Sequence, residues 1–110
     1  MKSRYAITAG ALYADITADA TAGKAIIVPY ACEVIDVIAQ ARATNASGTA
    51  TVRKATSAIS DAVAMATNNA IDRATTINDA NSQLVAGDNL NVITNGAADR
   101  GLVTILVRWL

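Results

Sequence analysis

Histidine and phenylalanine are absent from this 110-residue chain, and cysteine and proline occur once each. Without histidine, the chain cannot assemble a Ser-His-Asp triad, a Cys-His pair or a histidine-based metal site. The lone Cys32 has no partner for an internal disulfide, and we expect it to be a small buried side chain. The nine acidic residues are scattered singly, whereas carboxylate catalysis needs two of them together. The sequence therefore predicts a protein that is not an enzyme.

Neither sign of charge is in excess, since nine lysine and arginine residues balance nine aspartate and glutamate residues. Nucleic-acid binders usually carry a basic excess, because neutralising phosphates supplies much of their affinity, so we expect no nucleic-acid partner. No segment reaches the roughly 18 to 20 apolar residues that span a bilayer, and no apolar signal region follows residues 1–4, so we expect no membrane association. A neutral, apolar-rich chain has little electrostatic protection against self-association, which favours a protein that lives in an assembly.

Two polar segments could carry a site. Asn78, Asp79 and Asn81 offer oxygen ligands close together, which calcium could use, but the segment lacks the glycine and final glutamate of an EF-hand loop. Such clusters are usually plain turns, and the sequence leaves a metal there undecided. We expect Gly87 and Asp88 to form a turn, because glycine accepts a positive φ and aspartate bonds the turn backbone. We predict no cofactor and assign no residue as a metal ligand.

The apolar content is high but the side chains are small. Apolar residues make up 53% of the chain and aromatics only 4%, and much of the apolar content is alanine. Because alanine buries little area, the core must come from isoleucine, valine and leucine. The length fits one domain. A thin core of this kind favours flat packed layers or a subunit interface over a deep ligand pocket.

Glycine, asparagine and aspartate punctuate the chain at short intervals, with β-branched runs between them, which predicts a sandwich or a barrel. The clearest strand is 102–110, whose apolar face consists of Val103, Ile105, Val107 and Trp109. Its other face is mixed, as expected of a face that is partly covered. The next strand is 34–41, with an expected shared face of Ile35, Val37, Ala39 and Ala41.

Weaker strand signals surround these two. Residues 25–28 should form a strand. Because Pro29 lacks a backbone donor, it should end that strand or sit on a sheet edge. Residues 45–48 should form a hairpin turn into strand 49–54. Short leading strands are expected near 5–7 and 12–16. The inward positions expected of the later strands are Ala50, Val52, Leu90, Val92 and Thr94.

Residues 55–77 fit two patterns. As a helix, Ala55, Ile59, Val63, Ala66 and Ala70 line one side, and as a strand, Ile59, Val63 and Met65 share a face. Alanine favours the helix, but the threonines and the Asn68-Asn69 pair oppose a long one. We therefore favour strands with a loop.

The few aromatic residues are candidates for an interface. Trp109, the only tryptophan, is either a core anchor of the terminal strand or an interface anchor, since tryptophan is enriched at interface hot spots. The predicted interface residues are Tyr5, Leu12, Tyr13, Tyr30 and Trp109.

Two parts of the chain carry a resemblance to a known family. Residues 84–92, a glycine-containing turn and the strand 103–107 resemble the back half of small phage virion β-sandwich domains, and so do residues 26–29 leading into 34–38. The domains in question are those of tailed-phage head decoration, or cement, proteins. The resemblance implies a jelly-roll-like sandwich, trimers on the capsid lattice, and an arm over 9–16 that reaches a neighbour.

We therefore expect a mostly β, single-domain antiparallel sandwich at 21–110, with an N-terminal arm or leading strands at 1–20. The expected function is a capsid cement that bridges neighbouring capsid subunits, with the major capsid protein and itself, as a homotrimer, as partners. The expected location is the capsid exterior of a virion, after synthesis in the host cytoplasm. The alternative is a carbohydrate-binding or adhesin-like tail-fibre module, which normally presents several exposed aromatics. An enzyme or an inhibitor ranks last.

Overall fold

A computed structural model of the chain describes residues 9–17, 21–44, 47–96 and 100–110. These residues form ten strands. The strands are β1 (Ala9–Ile16), β2 (Lys24–Ile27), β3 (Cys32–Ala41), β4 (Thr49–Lys54), β5 (Ser57–Ala58), β6 (Val63–Ala64), β7 (Ile71–Arg73), β8 (Gln83–Leu84), β9 (Asn89–Thr94) and β10 (Gly101–Trp109). The described residues contain no helix of the length and apolarity that crossing a bilayer requires.

The strands build two antiparallel sheets that face each other. Sheet A has the order β1-β10-β3-β7, and β8 also pairs with β3; sheet B has the order β2-β9-β4-β5, and β6 also pairs with β4. Because β7 and β8 follow one edge of β3, and β5 and β6 follow one edge of β4, the strands occupy eight positions. This is the strand order of a jelly roll. The predicted antiparallel β-sandwich is confirmed.

The core lies between the sheets and is filled by aliphatic side chains, as the aromatic-poor composition predicts. The five predicted inward positions of β4 and β9 are all buried, and so is Cys32. The largest fully buried side chains are Ile59, Met65, Leu84, Leu90 and Ile105. Burial raises the pKa of the Cys32 thiol, and the negative charge of Asp88 acts in the same direction.

A β-bulge in β3 overturns one predicted face. Leu106 pairs with Asp36 and Val107 with Val34, so Ile35 has no partner on β10. The extra residue shifts the alternation by one position. Val34 is therefore buried, whereas Ile35 is 50% exposed. The prediction that Ile35 shares the inward face was wrong, because strict alternation does not anticipate a bulge.

The connection after β3 crosses from one sheet to the other. β3 belongs to sheet A and β4 to sheet B, so the predicted hairpin at 45–48 does not join two paired strands. Ser47 has a φ of 61°, and Asn45 and Ala46 lie outside the described residues. The start of β4 is instead tied to the end of β9, where the Thr49 backbone N–H donates to Asn95 Oδ1 at 2.9 Å.

The N-terminal strand belongs to the sandwich. β1 pairs with β10 along its whole length, and Ala14 and Ile16 lie in the core. Residues 9–16 are therefore a leading strand and not the arm that the resemblance implied. Residues 1–8 and 18–20 of the predicted N-terminal segment lie outside the described residues.

Short strands and loops occupy 55–77, as favoured over a helix. Asp61 joins two of the loops. Its Oδ1 accepts hydrogen bonds from the backbone N–H groups of Thr75 and Thr76, and its Oδ2 accepts one from the Thr75 hydroxyl. The Thr75 hydroxyl bond, helped by the backbone donors, outweighs desolvation and lowers the pKa of Asp61.

Ile105 is fully buried, whereas the bulge leaves Ile35 half exposed, so the two side chains should contribute differently to stability. We expect Ile105→Ala to lower the free energy of unfolding by about 2–5 kcal/mol, because it leaves a cavity at a fully buried position. Ile35→Ala should cost less than about 1 kcal/mol, because that side chain is half exposed. Urea unfolding measures both values, and equal losses would contradict the bulged register.

A second prediction concerns acid stability. Because the pKa of Asp61 is lowered on folding, its hydrogen bonds contribute stability above the unfolded pKa, and this is lost as pH falls through the folded pKa. Asp61→Asn should therefore lower the urea midpoint at pH 7, and the gap to the wild type should shrink in acid. Asp79→Asn, at an exposed turn position, is the control. A gap that does not change with pH would contradict this role.

Candidate interface on the outer face of sheet A

The strand register assigns a set of side chains to the outer face of sheet A. One row across the sheet runs from Tyr13 through Thr104 and Ile38 to Arg73. The rows on either side add Ala11, Leu106 and Asp36, and Asp15, Leu102, Gln40 and Ile71.

The apolar members of this face are left partly in water. Tyr13 is 62% exposed and Ile71 is 66% exposed, and Ile35 protrudes at the bulge of the same sheet. Leu102, Leu106 and Ile38 are half-buried between them. Several exposed apolar side chains on one face often mark a protein contact. The outer face of sheet A is therefore the candidate interface.

The charges on this face are mostly neutralised within the chain. Arg73 Nε lies 2.9 Å from Asp36 Oδ2, and Arg108 pairs with Glu33. Asp15 has no ion pair with another described residue. Since the face carries almost no net charge, a partner need not supply a compensating charge. Exposed ion pairs contribute little to stability, so the main effect of these two pairs is to lower the net charge of the surface.

The outer face of sheet B has a different composition. Its two central strands present Thr49, Thr51, Arg53, Asn89, Asn91 and Ile93. Most of these side chains are polar, although Arg53 Nε and Asn91 Oδ1 are buried. The central strands of sheet B are thus more polar than those of sheet A, although Ile27 on its edge strand β2 is 72% exposed. Sheet B supplies matched control positions.

The predicted interface residues fall into separate places. Leu12 points inward and packs against the core, whereas its neighbour Tyr13 lies on the candidate interface. Tyr30 is 70% exposed and meets Trp109 edge-on, with ring centroids 6.2 Å apart and planes at 87°. Tyr5 lies outside the described residues. The described aromatics therefore share no single surface, and the carbohydrate-binding alternative gains no support from them.

Trp109 packs at one end of the sandwich. It pairs with the fully buried Cys32 across β10 and β3 and is itself partly buried against the core. Its indole lies where a Cβ on Gly10 would be, so only glycine leaves room for it. The ring contacts both the core and the exposed Tyr30. Trp109 therefore has features of a core anchor and of an interface anchor.

Several residues of the candidate interface were missed in the sequence. Leu102 and Leu106 alternate with the apolar face of strand 102–110 and so belong to the face that the sequence predicts to be mixed and partly covered, which is the available signal. Ile38 and Ile71 become part of the same surface only through the pairing of β3 with β10 and β7. No local pattern in the sequence contains that pairing.

The polar turn at 78–81 uses its side chains internally. Asn78 Oδ1 accepts a hydrogen bond from the Ala80 backbone N–H at 3.0 Å, and Asn81 Nδ2 donates to the Ala58 carbonyl at 3.0 Å. Within the described ranges, no three metal-ligating His, Cys, Asp or Glu side chains come together. The other polar segment forms the predicted turn, with a φ of 89° at Gly87 and with Asp88 Oδ2 accepting from the Val85 backbone N–H.

Comparisons with known proteins identify a similar fold. No protein-family model matches the chain, and no curated protein matches it in sequence. Among solved structures, a chain from the capsid asymmetric unit of cyanophage Pam1 is similar, with a TM-score of 0.52 and 15% sequence identity. The similarity covers 93% of this chain and 82% of that chain. At this identity it establishes a shared fold.

The Gly10–Trp109 contact gives a prediction. Gly10→Val should displace the indole and cost about 1–3 kcal/mol, because the space for the new side chain is already filled. The emission of Trp109, the only tryptophan, should shift to the red as its exposure rises. Ala9→Val, one residue earlier at an exposed position, should leave the spectrum unchanged. An unchanged spectrum in Gly10→Val would contradict the contact.

Proposed function

We propose that this chain is a virion structural protein that decorates a phage capsid and cements neighbouring capsid subunits. The observation that carries the proposal is the similarity in fold, over 93% of this chain, to a chain of a phage capsid asymmetric unit. The apolar outer face of sheet A is a second, independent support. In this proposal the chain works by binding and performs no catalysis.

The geometry suits a protein whose function is its contact surface. The two sheets hold the outer face of sheet A as a broad surface, and the paired charges leave it nearly neutral. Each contact is expected to be modest, since a standard protein interface buries roughly 800 Å² per partner. If the chains are joined in an oligomer, several such contacts add up to strong retention, because binding of one subunit raises the effective concentration of the subunits joined to it.

The partners follow from this mechanism. The major capsid protein would lie against the outer face of sheet A, on the exterior of the particle, and the chain would be made in the host cytoplasm. A homotrimer is what the resemblance to cement proteins implies. Both the capsid contact and the number of subunits can be measured directly.

The capsid contact can be tested with two matched substitutions. Leu106→Lys lies on the outer face of sheet A and Ile93→Lys on the outer face of sheet B, and both side chains are half-buried aliphatics. Purified protein is mixed with particles of the encoding phage that lack it, and bound protein is measured by co-sedimentation. We expect Leu106→Lys to weaken binding at least tenfold, about 1.4 kcal/mol, because it places a charge in an apolar contact. Ile93→Lys should stay within twofold.

Urea unfolding of both variants checks that they remain folded. Failure of the wild-type chain to bind such particles, together with its absence from intact particles by mass spectrometry, would overturn the proposed function. Equal weakening by both variants would overturn the assignment of the contact to sheet A.

A further inference from the structure

Asn95 and Gly96 follow β9 in a bend, and their order makes Asn95 the most reactive asparagine of the chain. Glycine has no Cβ, so its backbone nitrogen can approach the preceding side chain without steric hindrance. Every other asparagine of the chain precedes a residue that carries a side chain. Asn95 is also exposed, so water reaches it. The sequence therefore singles out Asn95 as a place where an amide can be converted to an acid.

The fold holds the Asn95 side chain against the start of β4. Its Oδ1 accepts a hydrogen bond from the Thr49 backbone N–H at 2.9 Å, and its Nδ2 donates to the Ser47 carbonyl at 2.7 Å. The Asn95 backbone N–H donates to the Thr49 carbonyl at 3.3 Å. The two side-chain bonds fit only one orientation of the amide, because the reverse one places donor against donor and acceptor against acceptor. These hydrogen bonds fix Asn95 to segment 47–49.

We propose that Asn95 is a site of spontaneous deamidation, and that its hydrogen bonds to segment 47–49 protect it in the folded chain. To react, the side-chain amide has to turn toward the backbone nitrogen of Gly96. This rotation breaks the side-chain bonds to Ser47 and Thr49. Deamidation therefore proceeds from a locally opened form, and the population of that form sets the rate.

The reaction balances with water as the only co-reactant. The Gly96 backbone nitrogen loses its proton to solvent base and attacks Asn95 Cγ as a nucleophile. The new bond from carbon to nitrogen forms as the bond from Cγ to Nδ2 breaks, and Nδ2 takes a proton from water and leaves as ammonia. One water molecule then opens the cyclic imide and leaves aspartate or isoaspartate.

The product fits the native contacts less well than asparagine does. A carboxylate accepts hydrogen bonds but donates none, so it keeps the bond from the Thr49 N–H and loses the bond to the Ser47 carbonyl. Two oxygens, one of them charged, then face each other where a hydrogen bond was. Isoaspartate also adds a methylene group to the main chain directly after β9. Each conversion therefore favours the opened form.

The test follows deamidation of the full chain by peptide mass spectrometry, in native buffer and in urea above the unfolding midpoint, at one temperature and pH. In urea, Asn95 should react faster than every other asparagine. Gly96→Ala should slow it by about tenfold or more, because the added Cβ hinders the attack. This comparison is made on unfolded chains, so it does not depend on the folding of the variant.

Protection by the fold is measured on the wild-type chain. Asn95 should react at least about tenfold more slowly in native buffer than in urea, because only the opened form reacts. A synthetic peptide of residues 91–100, which has no β4 to bind, is the control for the effect of urea itself and should react alike in both solutions. Hydrogen exchange at the Thr49 N–H reports the opening, and urea below the midpoint should raise this exchange and the deamidation by the same factor.

The effect of the product is measured with Asn95→Asp, whose urea midpoint should be lower than that of the wild type. Asn68→Asp, at an exposed loop position, is the matched control and should keep the wild-type midpoint. A faster reaction at another asparagine in urea, or an unchanged rate in Gly96→Ala, would overturn the assignment of the site. Equal rates for Asn95 in native buffer and in urea would overturn its protection by segment 47–49.

Discussion

The position of β10 between β1 and β3 is the constraint on which the rest of the sandwich depends. The last strand of the chain pairs with the first described strand on one side and with the third on the other. This closes the jelly roll, because it brings both ends of the described chain into one sheet. Both partners are distant in sequence, so the pairing carries a loop-closure cost that a hairpin does not. Val103, Ile105 and Val107 then provide the centre of the core from the same strand.

The same strand also determines the character of the outer surface. Its outward residues Leu102 and Leu106 lie in the middle of sheet A, where side chains from β1 and β3 flank them. The central strands of sheet B alternate aliphatic inward residues with threonine, asparagine and arginine outward. A sandwich with two polar faces would be suited to life as a monomer. The exposed apolar side chains on the outer face of sheet A instead suit contact with a partner on that side.

Much of the fold was predictable because it depends on local alternation and turn chemistry. The rows Leu90–Val92–Thr94 and Val103–Ile105–Val107 are buried as predicted, and Gly87 adopts the positive φ that its turn needs. Prediction failed at Ile35, where one extra residue in β3 shifts the alternation. It also failed at 45–48, where the turn residues predict a hairpin but the chain passes from sheet A to sheet B. In both places the decisive interaction is with a strand far along the sequence.

The candidate interface, like the fold, was predictable from the sequence only in part. The sequence by itself determined that the core would be aliphatic, that strands would dominate, and that Leu102 and Leu106 would lie on a mixed face. Only the tertiary structure decided that Leu12 would point to the core and Tyr13 away from it, and that Ile38 and Ile71 would join the leucines. The physical reason is that side-chain alternation is local, whereas strand pairing and register depend on backbone hydrogen bonds between distant segments. A surface formed by four strands therefore exists only once those strands are paired.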